Sequence, residues 1–120
     1  MGLDTTHGCW NGAYSSFNTF RHNLANQIGI NLDDYAGYGG DKDLESIEHG
    51  IMPLLNHSDC EGSLSVEESK SIAEGLAFIL DDLTLPPEEE FNPYNLKFKI
   101  ERFRNGLLEA IENDEIVEFH

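Results

Sequence analysis

The sequence predicts a mainly α fold, a small single-domain bundle of four or five helices over residues 1–120 with a short extended C-terminal segment. Three observations carry this. Apolar residues recur at three- and four-residue steps in separate stretches, Gly- and Pro-containing segments divide those stretches, and 120 residues suit one hydrophobic core without staples.

Phe17, Phe20, Leu24 and Ile28 mark the first amphipathic helix, with Ser15 or Ser16 as its cap and Gly29 as its stop. The segment NLDDYAGYGGDKD, residues 31–43, has little periodicity and reads as a loop, a candidate for a mobile functional one. Leu44, Ile47, Ile51 and Leu54 form another helical face, interrupted by Gly50 and Pro53. Proline lacks an N–H and disfavours helix at the residue before it, so two short pieces are expected, the second opening at Pro53.

Ser65 followed three residues later by Glu68 is a capping box, the start of a firm helix carrying Ile72, Leu76, Ile79, Leu80 and Leu83. LPPEEEFNPYN, residues 85–95, is a linker. Leu96, Ile100, Phe103, Leu107 and Ile111 then make a long amphipathic helix that ends near ENDE. The tail IVEFH has strand composition and is expected to pair with another short segment.

Charge is the strongest global feature. Twenty-three acids against seven Lys and Arg give a formal −16. A field of that sign repels nucleic-acid backbones and anionic membranes, so direct nucleic-acid binding and membrane association are not expected. It suits either a solvated acidic surface or a basic protein partner, DNA mimicry included. Lys97, Lys99, Arg102 and Arg104 read as internal counter-charges on the last helix.

No apolar run approaches a membrane span, and the start has neither a basic region nor an apolar one. The expected location is therefore cytoplasmic. Gly2 and Thr6 match the myristoylation pattern by chance, without a second anchoring signal. The sequon at Asn56–Ser58 is idle without secretion.

The specific chemistry lies in two segments, THGCW at residues 6–10 and HSDCEG at 57–62. Imidazole and thiolate are the usual zinc ligands. His7, Cys9, His57, Asp59 and Cys60 are therefore the candidate ligands of a divalent metal such as zinc, with His120 as a substitute. The spacing is not that of a zinc finger, and separate roles as caps and small buried groups compete with it.

HSDCEG also follows a calcium loop. Counted from His57, the third, fifth and sixth positions are Asp59, Glu61 and Gly62, and the eighth, ninth and twelfth are Leu64, Ser65 and Glu68. A neutral imidazole at the first position suits hard Ca²⁺ poorly, and the capping box accounts for Ser65 and Glu68 without an ion. The expectation is a turn that borrows the shape but not the calcium.

GCWNGAYS resembles the cysteine–tryptophan opening of papain-like peptidases. In that alternative Cys9 would be the nucleophile, with His57 or His7 as base and Asp59 as orienter. The helix begins too far after Cys9, and the peptidase spacing is absent. Trp10 and Tyr14, four apart, read as core packing.

Together, GLDTTHGCWNGAYSSFNTFR, LLNHSDCEG and VEFH resemble a group of small bacterial and phage-associated proteins. These share G-L-D-x-x-H-x-C-W-x-G-A-Y-S-x-F near the start and L-L-N-H-S-D-C-x-G in the middle. The resemblance supplies no activity. It implies that the two motif segments belong to one design and converge in space. The resulting expectation is a non-enzymatic acidic protein with a His/Cys/Asp cluster of structural role, against two competitors: a cysteine hydrolase and an acidic interaction protein.

Overall fold

A computed structural model describes residues 2–57, 62–83 and 96–119. The linker 85–95, Asp59, Cys60 and His120 lie outside them.

The chain opens with an antiparallel hairpin that periodicity did not reveal. Strand β1 (Gly2–Asp4) pairs with β2 (Asn11–Ala13), Leu3 opposite Gly12. Three-residue strands are too short to display alternation, and the segment joining them carries a 3-10 turn, Thr6–Gly8. Helix α1 (Tyr14–Gln27) follows β2 with no connecting loop. Ala13 is therefore its N-cap, without a side-chain cap bond, and the expected Ser15 or Ser16 cap is corrected. Gly29 adopts φ +81 just past the helix, as a left-handed stop does.

Residues 31–43 are more ordered than a plain loop. Leu32–Asp34 is a 3-10 turn capped by the Asn31 side chain, Tyr35 bridges Lys42, and Leu32 and Tyr35 are buried. The next face splits as expected. A 3-10 turn, Leu44–Ser46, is followed by one turn of α2 (Met52–Leu55), with Pro53 in its first turn, where a missing N–H costs nothing.

After the central turn, β3 (Gly62–Leu64) leads into α3 (Val66–Asp82). Both halves of the capping box are made: Glu68 N donates to Ser65 Oγ at 3.1 Å, and Ser65 N donates to Glu68 Oε1 at 2.9 Å. Helix α4 (Leu96–Glu112) buries Ile100, Phe103 and Leu107 of the expected stripe, with Gly106 and Ala110 beside them, while Leu96 and Ile111 at its ends are half-buried. It packs more extensively on α3 than on any other element.

The tail is a strand, β4 (Val117–Phe119), antiparallel to β3 with Gly62 opposite Phe119. On its other edge Phe119 bridges Thr5, so β4 lies between β3 and the N-terminal hairpin. The fold is mainly α, with two small two-stranded sheets joined by that bridge.

An aromatic group fills the centre. Trp10 stacks on Phe20 at 5.0 Å and meets Phe17 edge-on at 5.3 Å, and Phe103 lies 5.8 Å from Phe20. Trp10 is thus core, as its spacing from Tyr14 suggested. Four bases on α4 were expected to answer nearby acids. Instead Arg102 Nε donates to the Gly8 carbonyl and Arg104 Nε to that of Ala73, both at 3.1 Å. Among the described residues the one Lys–carboxylate pair lies elsewhere, Lys42–Asp34, and two histidines, His7 and His22, contact Glu115 and Asp33. Each arginine reaches a carbonyl of an adjoining segment, so these side chains tie segments together rather than balance local charge.

Candidate functional site

Both motif segments abut β4, on opposite edges. Neighbouring strands are spaced by nearly 5 Å, so the backbones of Thr5 and Gly62 stand about 10 Å apart across Phe119. Among the described residues the segments share a neighbour without forming one ligand cluster.

On the first edge, Thr5 closes the THGCW turn. Its hydroxyl accepts from Trp10 N at 2.9 Å, and its own N donates to the Trp10 carbonyl at 3.0 Å. Thr6 Oγ1 accepts from Glu118 N at 3.0 Å, which pins the turn to β4. His7 sits in the left-handed region (φ 63), which costs a non-glycine residue about 1–2 kcal/mol. Its ring offsets this: Nδ1 lies 2.9 Å from Thr6 Oγ1 and Nε2 lies 3.2 Å from Glu115 Oε1. Both ring nitrogens are engaged.

Cys9 points inward and is fully buried. It lies against Gly106 of α4, where a Cβ would stand 2.5 Å from Cys9 Sγ, 2.8 Å from the His7 carbonyl and 3.0 Å from Cys9 N. Only glycine lets the turn approach the helix this closely. Burial pushes the thiol from 9.0 to about 12, outweighing the Thr5 hydrogen bond that opposes it; Glu109 adds slightly and Arg102 subtracts. Nucleophilic cysteine chemistry needs an accessible thiolate. Cys9 is an occluded neutral thiol at pH 7, the reverse of that requirement.

On the second edge, the calcium-loop numbering becomes informative. Gly62, the sixth position, has φ +97, the left-handed turn that such a loop requires. Leu64, the eighth, is buried in a short strand, and helix α3 follows directly. In an EF-hand the first side chain and the seventh carbonyl both face the ion. Here His57 Nε2 lies 3.0 Å from the carbonyl of Ser63, the seventh residue. A carbonyl only accepts, so Nε2 carries the proton and donates. The imidazole N–H meets the carbonyl that an ion would otherwise hold, and the twelfth-position Glu68 is spent on the capping box.

His57 is anchored further. Its ring packs on Phe119 at 4.2 Å, and its carbonyl accepts from Arg21 Nη1 at 2.7 Å. The Arg21 guanidinium is buried between the rings of Phe17 and Tyr38, at 4.8 and 5.2 Å. Sequence reasoning missed Arg21, Thr5 and Thr6. Arg21 carried a signal, a cation one residue after the apolar Phe17–Phe20 face; the threonines carried none. A cleft of about 500 Å³ opens beside this turn, walled by Asn18, Arg21, His22, Tyr38, Asn56 and His57.

The five expected ligands therefore distribute as follows. His7 and Cys9 serve the first edge and His57 the second, while Asp59 and Cys60 lie outside the described residues. Among the described residues no three His, Cys, Asp or Glu side chains gather into a group that could hold a metal. The described donors do not fit zinc: His7 and Cys9 lie on one edge of β4 and His57 on the other, and both histidine rings are engaged by protein partners while the Cys9 thiol is buried against Gly106. No protein-family model, curated protein or solved structure matches the chain. No helix among the described residues is long and apolar enough to cross a membrane.

Proposed function

We propose that this is a non-enzymatic acidic protein that binds a basic protein partner through the surface of residues 31–48. In this reading the two motifs are clamps on β4, with no catalytic or ion-carrying duty. The observation that carries it is the display of Asp33, Asp34, Asp41, Asp43, Glu45 and Glu48, all exposed, on a segment anchored by buried Leu32, Tyr35, Leu44 and Ile47. Lys42 is the segment's one basic residue, and its ammonium stands 3.9 Å from Asp34. A pre-ordered acidic surface loses little entropy on binding and steers a cationic partner towards it. The occluded thiol of Cys9 and the engaged ring of His57 weigh against the hydrolase alternative.

The test uses immobilised polylysine over a salt series. Binding should weaken steeply with salt. Neutralising the six loop acids to Asn or Gln should remove most of it. Neutralising six exposed helix acids instead (Glu67, Glu74, Asp81, Asp82, Glu101, Glu112) should leave most of it. Equal losses from the two variants would reduce the effect to net charge and overturn the assignment of this surface.

A further inference from the structure

His22 of α1 reaches the acidic segment. Its Nε2 lies 2.8 Å from Asp33 Oδ1, and its Nδ1 lies 2.8 Å from the backbone carbonyl of Asn18, one turn back on the helix. A carbonyl and a carboxylate only accept, so both contacts are hydrogen bonds only when both ring nitrogens carry protons. The proton between the ring and Asp33 belongs on the ring, because imidazole is a stronger base than a carboxylate by roughly 2–3 pH units. The pair is therefore an imidazolium against a carboxylate. By contrast, His7 faces a hydroxyl, which can donate, and His49 accepts from Ile51 N, so a neutral ring serves each. A neutral His22 would leave one nitrogen lone pair facing an oxygen. Asn18 is fixed in the same helix, whereas the Asp33 side chain is 67% exposed and able to turn, so the Asp33 contact is the one that opens. The backbone of the segment stays in place, because buried Leu32 and Tyr35 anchor it.

Among the described residues, the other titratable and charged groups walling the same cleft are Asp33 and Tyr38 from the 31–43 segment, Arg21 from α1 and His57 from the turn after α2. Arg21 opposes a charge on His22, but its guanidinium lies between the Phe17 and Tyr38 rings and donates to the His57 carbonyl, whereas Asp33 is in direct contact. We infer that His22 is a proton-operated mask on Asp33: charged, it holds the carboxylate back from a basic partner, and on losing its proton it gives the carboxylate up. This rests on residues 31–48 being the partner-binding surface. Neighbouring Asp34 faces a permanent cation, Lys42, while the cation on Asp33 is conditional on pH. Loss of the proton adds one negative charge to the surface and lets one side chain turn outward, so both effects strengthen binding as pH rises.

The test compares parent and His22→Gln protein on immobilised polylysine at fixed salt, at about pH 5.5 and about pH 7.5, a range in which imidazole changes charge and lysine does not. At the higher pH the two should bind equally. At the lower pH the variant should bind about threefold more tightly, the scale of one exposed charge pair. Reading the difference between the two proteins separates His22 from the other histidines. In the full-length protein without polylysine, the Asp33 carboxyl carbon resonance should follow the His22 ring protons over the same pH range and lose that response in His22→Gln. Equal binding of parent and variant at both pH values would overturn the mask. An Asp33 resonance indifferent to His22 would overturn the contact on which it depends. Polylysine that binds at neither pH would sink the acidic surface as a partner site, and the mask with it, whatever the resonance shows.

Discussion

Gly106→Ala tests the close approach of the THGCW turn to α4. In a solvent-facing helix this change stabilises by about 1 kcal/mol through helix propensity. Here the new methyl meets Cys9 Sγ at 2.5 Å, the His7 carbonyl at 2.8 Å and Cys9 N at 3.0 Å, against ordinary carbon contacts of about 3.5–4.0 Å. Two of the three obstacles are backbone, so no rotamer change relieves them. The turn must retreat from α4, loosening the Arg102 bond to Gly8. Overpacking of this kind costs about 1–3 kcal/mol, and the unyielding backbone favours the upper end. After the propensity gain, a net loss of about 2 kcal/mol remains, roughly 8 °C in melting temperature for a chain of this size. Urea unfolding followed by Trp10 fluorescence should show a lower midpoint at unchanged slope. Cys9→Ala in the same chain removes the sulfur contact but neither backbone contact. The double variant should therefore show a coupling energy of about 0.5–1.5 kcal/mol. A Gly106→Ala protein as stable as the parent, or strict additivity with Cys9→Ala, would refute the reasoning.

Further outcomes follow from the same geometry. Ser65→Ala breaks the capping box and should lower stability by about 1 kcal/mol, read by thermal unfolding. Desolvation lowers the His49 pKa below 6.5, and its Nδ1 accepts from Ile51 N, so only the neutral ring fits. The unfolded chain then binds the extra proton first, and stability should fall as pH drops from 6.5 towards the folded value; His49→Asn, which keeps an acceptor, should flatten that slope. Cys9 has the opposite sense. Its raised pKa makes stability fall as pH rises from 9.0 towards 12, by about 1.4 kcal/mol at pH 10. In a Cys60→Ser background, its reaction with a disulfide reagent at pH 8 should be no faster than global unfolding. Chelator, or added Zn²⁺ or Ca²⁺, should move the melting temperature by less than about 1 °C; a larger rise with either ion would restore the metal reading.

Legibility in the sequence tracks how local each determinant is. Ser65 and Glu68 are three residues apart and cap the helix by themselves, so their role is readable. The α4 stripe of Ile100, Phe103 and Leu107 is equally plain, because a repeat of about 3.6 residues needs no partner to be seen. The hairpin was hidden, since its pairing depends on Thr5 bonding Trp10 rather than on any alternation. The candidate residues show the same divide. His57 stood out as the wrong first ligand for calcium, yet its bond to Ser63 shows why histidine suits the position. Cys9 looked like chemistry because cysteine next to histidine often is. Its burial is set by Gly106, nearly a hundred residues away, and no local pattern announces such a pairing.

The placement of β4 bears on how the chain reaches its native state. The strand joins β3 on one edge and the Thr5 turn on the other, including a bond between residues 112 apart in sequence. Bringing such distant residues together costs loop-closure entropy before their contacts repay it. The α3–α4 pair, by contrast, closes over a short connection and can assemble early. Folding should thus be slower than for a helical bundle of equal length, with strand insertion as the late step. Until then the Thr5 turn and β3 each present an open edge, and a second chain's tail could enter in place of the chain's own. Exchange of β4 between two molecules is the misassembly to which this topology is most exposed.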